Sequence, residues 1–229
     1  MPRRISGSRG TGKTVIRVFC EGESEQAYTE YLRKQFSDVA IIKYPKETGL
    51  FDEAESRFEK DPQYRDYAEV IDEVWFFFDV ELKDVGLWNQ RLKQIKKLRR
   101  LRRDPNIKVR LLMTTGCIEY WLMLHYKKYA PSLQTVADKE RVKNELIGEE
   151  STYKKGDYAS IAKIAVNYQT AVVNAKATVT ELLTVGLPGL EDTDERNQWL
   201  SKNCLTFSNV YEAIESLQKK RRCNHPSEE

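Results

Sequence analysis

Two apolar runs of this chain end abruptly in acid. Val15-Ile16-Arg17-Val18-Phe19-Cys20 passes into Glu21-Gly22-Glu23-Ser24-Glu25, and Val74-Trp75-Phe76-Phe77-Phe78 passes into Asp79-Val80-Glu81. Short runs of β-branched and aromatic residues are the mark of buried strands. In an open α/β sheet, ligands bind in the crevice beyond the strand C-termini. Carboxylates gathered there repel one another and stay ionised together only with a cation among them. The pattern therefore predicts a divalent-metal site. Alternation along a strand puts Asp79 and Glu81 on one face, so both are candidate ligands for one Mg²⁺ or Mn²⁺, ions that take oxygen donors. Glu21 and Glu25 lie four residues apart, a spacing that turns both to one side if the following helix begins early. Gly22 is expected to permit a sharp strand-to-helix turn. An ordinary acidic helix start accounts for Glu23 and Glu25 through the helix dipole, but not for Glu21, which ends a buried strand.

These acids need a scaffold. Hydrophobic periodicity predicts strands at about 15–20, 39–42, 73–79 and 107–113. Helices are expected between and after them at about 24–36, with Ser24 as N-cap, and at about 51–60, 87–103 and 117–126. Such alternation argues for an α/β fold with a mostly parallel, Rossmann-like sheet flanked by helices. Beyond Ala130 strand signals fade, and helices are expected at about 135–147, 158–183 and 207–221. The predicted organisation is a flexible basic arm at 1–14, a catalytic core at 15–130 and a helical C-terminal extension at 131–229 packed on that core. Gly7 to Thr14 matches the phosphate-cradling G-x-x-x-x-G-K-[ST] loop. That loop works only between a preceding strand and a following helix. Here six residues precede Gly7 and a strand follows Thr14, so the match is set aside.

Composition narrows the class. Hydrophobic residues make up 40% of the 229, enough for a real core, and the 38 basic and 35 acidic residues leave a net charge of only +3. The distribution of charge is then more informative than its sum. Four cysteines without a C-x-x-C pair indicate neither a zinc ribbon nor a disulfide framework, and reduced thiols in a cytoplasmic protein are expected. No apolar run approaches the roughly 20 residues needed to cross a bilayer, and no signal-peptide core follows the N-terminal Met-Pro-Arg-Arg.

One segment is strongly biased. From Arg91 to Arg103 the chain carries Arg91, Lys93, Lys96, Lys97, Arg99, Arg100, Arg102 and Arg103 without one acid, while Leu92, Ile95, Leu98 and Leu101 recur every three residues as a buried stripe. A face of single sign suits a polyanion backbone. Lys96, Lys97, Arg99, Arg100, Arg102 and Arg103 are accordingly candidate nucleic-acid contacts, with an acidic protein partner as the alternative.

Three motifs together resemble a known family. Phe19-Cys20-Glu21-Gly22-Glu23-Ser24-Glu25 is similar to the C-E-G-x-[TS]-E signature of the RloB-like (AbiLii-like) proteins, a Toprim-related family. Val74 to Glu81 resembles that family's V-W-x-V-x-D-x-D strand, and Cys117 to Tyr126 resembles its C-F-E-x-W-L-L-L-H-F helix. Order and spacing agree across about residues 15–128, with weaker likeness through Tyr153-Lys154-Lys155 and Asn174-Ala175-Lys176. Two positions depart from the pattern: Glu81 stands where the family has a second Asp, and Thr115-Gly116 replaces the Asn-Pro that precedes the Cys. The resemblance implies a Toprim-like core, Mg²⁺-dependent nuclease chemistry on phosphodiesters, a role in phage defence and an ATPase partner of the AAA or SMC-like type. On that reading Asp79 and Glu81 hold the metal, Glu21 is a general base or the ligand of a second metal, and Glu25 and Glu119 complete the set. Glu119 lies in the first turn after the fourth strand, beside the other strand ends, whereas His125 in the same apolar helix reads as a packed core residue. The alternatives are a non-catalytic nucleic-acid-binding or regulatory subunit of an ATPase defence complex, and a primase-like nucleotidyl transferase. Oligomeric state is left open.

Overall fold

A computed structural model describes residues 12–102 and 104–224. The expected arm and the Gly7–Thr11 part of the phosphate-loop match lie outside the described residues, as does Arg103. Thr14 already opens the first strand.

Four strands, β1 (Thr14–Cys20), β2 (Ala40–Lys43), β3 (Glu73–Val80) and β4 (Lys108–Thr115), form one wholly parallel sheet in the order β2-β1-β3-β4. Helices α1 (Glu23–Gln35), α2 (Phe51–Lys60), α3 (Pro62–Arg65) and α4 (Trp88–Arg99) fill the crossovers, and α5 (Ile118–Met123) follows β4. The fold is α/β, as the alternation of patterns predicts. Strand β3 is apolar at nearly every position because helices cover both of its faces. Tyr28 of α1 meets Phe77 edge-on at 6.2 Å on one face, while Phe51 of α2 stacks on Phe76 at 4.1 Å on the other. Asp79 follows Phe77 by two residues and so belongs to the face covered by α1 and α5. Trp121 of α5 closes that face against Tyr28 at 5.7 Å.

The C-terminal third is helical, with α6 (Val136–Glu149), α7 (Tyr158–Ala165), α8 (Tyr168–Glu181), α9 (Asp194–Asn203) and α10 (Tyr211–Asn224). Helix α7 packs on α1, α8 on α5, and α10 on α8 and β4. The helix expected at 158–183 is two helices, parted at Val166–Asn167. The free edge of β4 is covered by residues ahead of α10. Thr115 N–H donates to the Phe207 carbonyl at 3.0 Å, Asn209 N–H to the Met113 carbonyl at 3.0 Å, and Thr114 forms an antiparallel bridge with Ser208. The Asn209 side chain accepts from Met113 N–H and donates to the Leu111 carbonyl. An open strand edge is thereby satisfied. Beside the same strand, Arg196 of α9, 1% exposed, is held by Glu212 of α10, Asn197 and the Leu190 carbonyl. Core and extension share one continuous apolar interior. Among the described residues, no helix is long and apolar enough to cross a membrane.

Candidate acidic site at the strand C-termini

In the order β2-β1-β3-β4, the crossover from β1 leads to one side and β3 lies on the other. The crevice between the ends of β1 and β3 is the topological switch point, where α/β sheets bind ligands. Glu21 follows β1, and Asp79 is the last residue but one of β3, at that crevice. Glu21 N–H donates to the Phe77 carbonyl at 2.9 Å, and Asp79 N–H donates to Glu21 Oε2 at 2.8 Å. The Glu21 carboxylate is thus fixed by the backbone of the strand that carries Asp79.

Glu25 and Glu119 join them from the covering helices. Glu25 is 4% and Glu119 3% exposed, values at which an ionised acid requires compensation. Burial raises the Glu25 carboxyl, its own backbone N–H offsets this in part, and the charges of Glu21 and Glu119 push it up further, to about 7, against an opposing effect of Lys155. Asp79 is driven well above the usual carboxylate range, first by burial and then by Glu25, Glu21 and Glu119, with Lys139 opposing. Four acids therefore act on one another at the C-terminal end of the sheet. Asp79 Oδ1 is buried and has no hydrogen-bond partner. An orphaned carboxylate oxygen in a group of mutually repelling acids fits a hard cation in both charge and donor type. As the side chains stand, no three Asp, Glu, His or Cys among the described residues form a group that could hold a metal ion.

Local structure explains the placement. The N-cap of α1 is Gly22, in an extended conformation at φ −140°, so the freedom expected of it is not used. Its role is steric: a Cβ there would stand 2.8 Å from Glu25 Oε2, and the bare backbone leaves room for that carboxylate. Ser24 is not the cap. Its hydroxyl accepts the Gly156 N–H at 2.9 Å, tying the 152–157 loop to α1. The same loop supplies Tyr153, whose hydroxyl donates to Glu119 Oε1 at 2.9 Å, and Lys155, whose charge favours ionised Glu25. Between β4 and α5, Gly116 takes φ +77°, and a Cβ on it would lie 2.9 Å from that of Leu133. A left-handed glycine thus makes the turn that sets Glu119 into the first turn of α5.

Glu81 has other company. Strand β3 ends at Val80, and Glu81 just beyond it keeps an extended backbone at φ −128° and ψ 159°, so its partners rather than its backbone set it apart from Asp79. Its two oxygens are engaged by Lys139 of α6 and by Lys83 at 2.5 Å. Burial would raise its carboxyl, but these hydrogen bonds outweigh it and hold the group below the ordinary range. His125 is a core residue. It is 2% exposed, bonded to the Tyr28 hydroxyl at 3.1 Å and the Trp121 carbonyl at 3.0 Å, and burial lowers it to about 4.

The basic helix lies on the other side of the sheet, with Arg91 of α4 over Phe51 and Phe78. The sequence shows no acid within this stripe, but the fold supplies acids from elsewhere. Arg91 pairs with Asp84 at 3.2 Å, Lys97 reaches Glu55 at 2.7 Å and also Glu59, and Arg99 makes a two-pronged bridge to Asp194 at 2.7 and 2.9 Å. Lys96 also acts on Asp194. Arg102 donates to the Pro105 and Glu69 carbonyls and lies 3.5 Å from Asp72. Much of the stripe fastens α4 to α2, α9 and the start of β3, so the expectation of an unpaired face of single sign is corrected. Lys93, Lys96, Lys97 and Arg100 line a shallow groove that retains the exposed basic character.

Sequence reasoning did not single out Lys139, Lys155 or Tyr153 as site residues. Each comes from beyond the core segment and approaches the acids only through the packing of the helical extension.

No curated protein and no solved structure matches the chain. A family model described as RloB-like protein matches residues 16–217. That span takes in almost the whole sheet, the acidic site, the 152–157 loop and half of α10, and the chain belongs to the RloB-like family.

Proposed function

We propose that the chain is a metal-dependent nuclease whose sheet serves as a Toprim-like catalytic core and whose role is phage defence beside an ATPase partner. The observation that carries this reading is the buried, unpartnered Asp79 oxygen among Glu21, Glu25 and Glu119 at the switch point. A divalent cation held by Asp79 among these carboxylates would neutralise charge on the scissile phosphate and make a bound water more acidic. The protein's own part is positioning and proton management. Glu21, exposed and anchored by Asp79 N–H, is the carboxylate placed to take a proton from an attacking water. Tyr153 orients Glu119, and Lys155 offsets part of the charge on Glu25. Glu81 is assigned to the lysines that hold it rather than to the cation.

The reading is tested by incubating the purified chain, alone and with its ATPase partner, with end-labelled single- and double-stranded DNA and RNA in Mg²⁺, Mn²⁺ or EDTA. Cleavage of at least one substrate in either metal, abolished by EDTA, is the expected outcome. No cleavage in any combination would remove the enzymatic reading and leave a binding or regulatory subunit.

A further inference from the structure

Beside the acids lies a cleft of ≈ 240 Å³ at the ends of β3 and β4, lined among others by Glu81, Lys83, Thr115, Gln134 and Lys139. It is smaller than the roughly 300–1,000 Å³ of sites that take drug-sized ligands, and suits a single phosphoryl group with part of a sugar. Its charge is arranged unusually. Two ammonium groups, Lys83 and Lys139, converge on the one Glu81 carboxylate, leaving the trio with a net charge of +1. Both lysines also face the acidic site: the charge of Lys139 acts on Asp79, and Glu21 acts on Lys83. The trio is only partly buried, with Lys83 70%, Lys139 27% and Glu81 25% exposed, so solvent and ligands have access.

We infer that this cleft is a subsite for the backbone phosphate adjacent to the scissile one, and that Glu81 is an internal stand-in for that phosphate. The inference rests on the nuclease reading for its substrate class, a nucleic-acid strand. A carboxylate between two ammonium groups presents its oxygens much as a phosphate does, so it holds both lysines in place while the subsite is empty. An entering phosphodiester carries the same charge and the same pair of terminal oxygens, so it can exchange with Glu81 for the two lysines through charge-assisted hydrogen bonds of the same kind. Glu81 is then a positioning residue that competes with substrate. The paired lysines lie beside the acids at the strand C-termini, whereas the basic groove of α4 lies across the sheet from them.

The test is binding of a fluorescein-labelled single-stranded 12-mer, as DNA and as RNA, to the full chain in EDTA over a range of salt. Omitting metal separates binding from cleavage. The double variant Lys83→Gln/Lys139→Gln should bind roughly tenfold more weakly at low salt, and its log–log salt slope should be shallower by about 0.7, the value for one lost single-strand phosphate contact. Glu81→Gln should bind more tightly than wild type, because it removes the competing anion and keeps both cations. Lys83→Arg/Lys139→Arg should retain affinity, and thermal melting checks that every variant is folded. Equal affinity and slope in the double Gln variant, weaker binding by Glu81→Gln, or no binding by the wild type each overturns the subsite. Cleavage is scored separately. Loss of binding in the lysine variant of a chain that cuts nothing would keep the subsite and sink the nuclease, and the reverse pattern would do the opposite.

Discussion

Asp79→Asn is expected to lower Mg²⁺-dependent cleavage at least ~10³-fold, about 4 kcal/mol of barrier, while leaving affinity for nucleic acid in EDTA within about twofold. The amide keeps the shape of the side chain and cannot carry the charge that gathers a cation among Glu21, Glu25 and Glu119. Affinity is expected to survive because phosphate contacts, not the acids, supply it. The variant should also melt no lower than wild type in EDTA. Burial and three neighbouring acids oppose ionised Asp79, so replacing it relieves repulsion in the metal-free protein. A merely structural Asp79 would lose stability along with activity. Cleavage at the wild-type rate by a folded Asp79→Asn would remove the catalytic role and favour the adaptor reading.

The second large effect is on stability. A ligand that binds only the folded state stabilises it by about 2.7 kcal/mol at a hundred times its Kd. At roughly 2–4 °C per kcal/mol for a chain of this length, saturating Mg²⁺ or Mn²⁺ should raise Tm by about 5–10 °C over EDTA. The pH dependence follows from Glu25, whose carboxyl rises from an ordinary 4.5 to about 7 in the folded protein. A group raised on folding favours the folded state while protonated, and that contribution is lost as pH climbs through its folded value. Asp79 is displaced in the same direction. In EDTA the Tm difference between Glu25→Gln and wild type should therefore widen in favour of the variant from about pH 4.5 to 7. The stabilisation by Mg²⁺ should grow over the same range, because a cation binds the ionised acids. Differential scanning fluorimetry at several pH values reads both. A metal shift independent of pH, or one retained in full by Asp79→Asn, would place the ion elsewhere.

Much of this was legible in the chain because the signals were local. An apolar strand running into acid marked Glu21 and Asp79, and a four-residue spacing marked Glu25. The first turn after a strand marked Glu119, and β-α alternation specified a parallel sheet. The departures have a common cause in contacts between distant parts of the chain. Glu81 meets Lys139, 58 residues away, and Ser24 meets Gly156, 132 away. Arg99 meets Asp194, 95 residues on, so a face that reads as uniformly basic is partly neutralised by a helix the periodicity does not reveal. That helix, α9, is mostly polar, with only Trp199 and Leu200 as apolar residues between Asp194 and Asn203. The cover on β4 was hidden for another reason. It rests on backbone bonds of Phe207 and Asn209 and on one bridge at Ser208, too short a stretch for a strand signal.

The central claim is that the four acids bind one divalent-metal centre, and a crystal soaked in Mn²⁺ tests it most directly. An anomalous peak is expected between the ends of β1 and β3, about 2.1–2.3 Å from oxygens of Asp79 and at least one of Glu21, Glu25 and Glu119, with Glu81 still on its lysines. No peak at saturating Mn²⁺, or a peak ligated by Glu81 and not by Asp79, would contradict it.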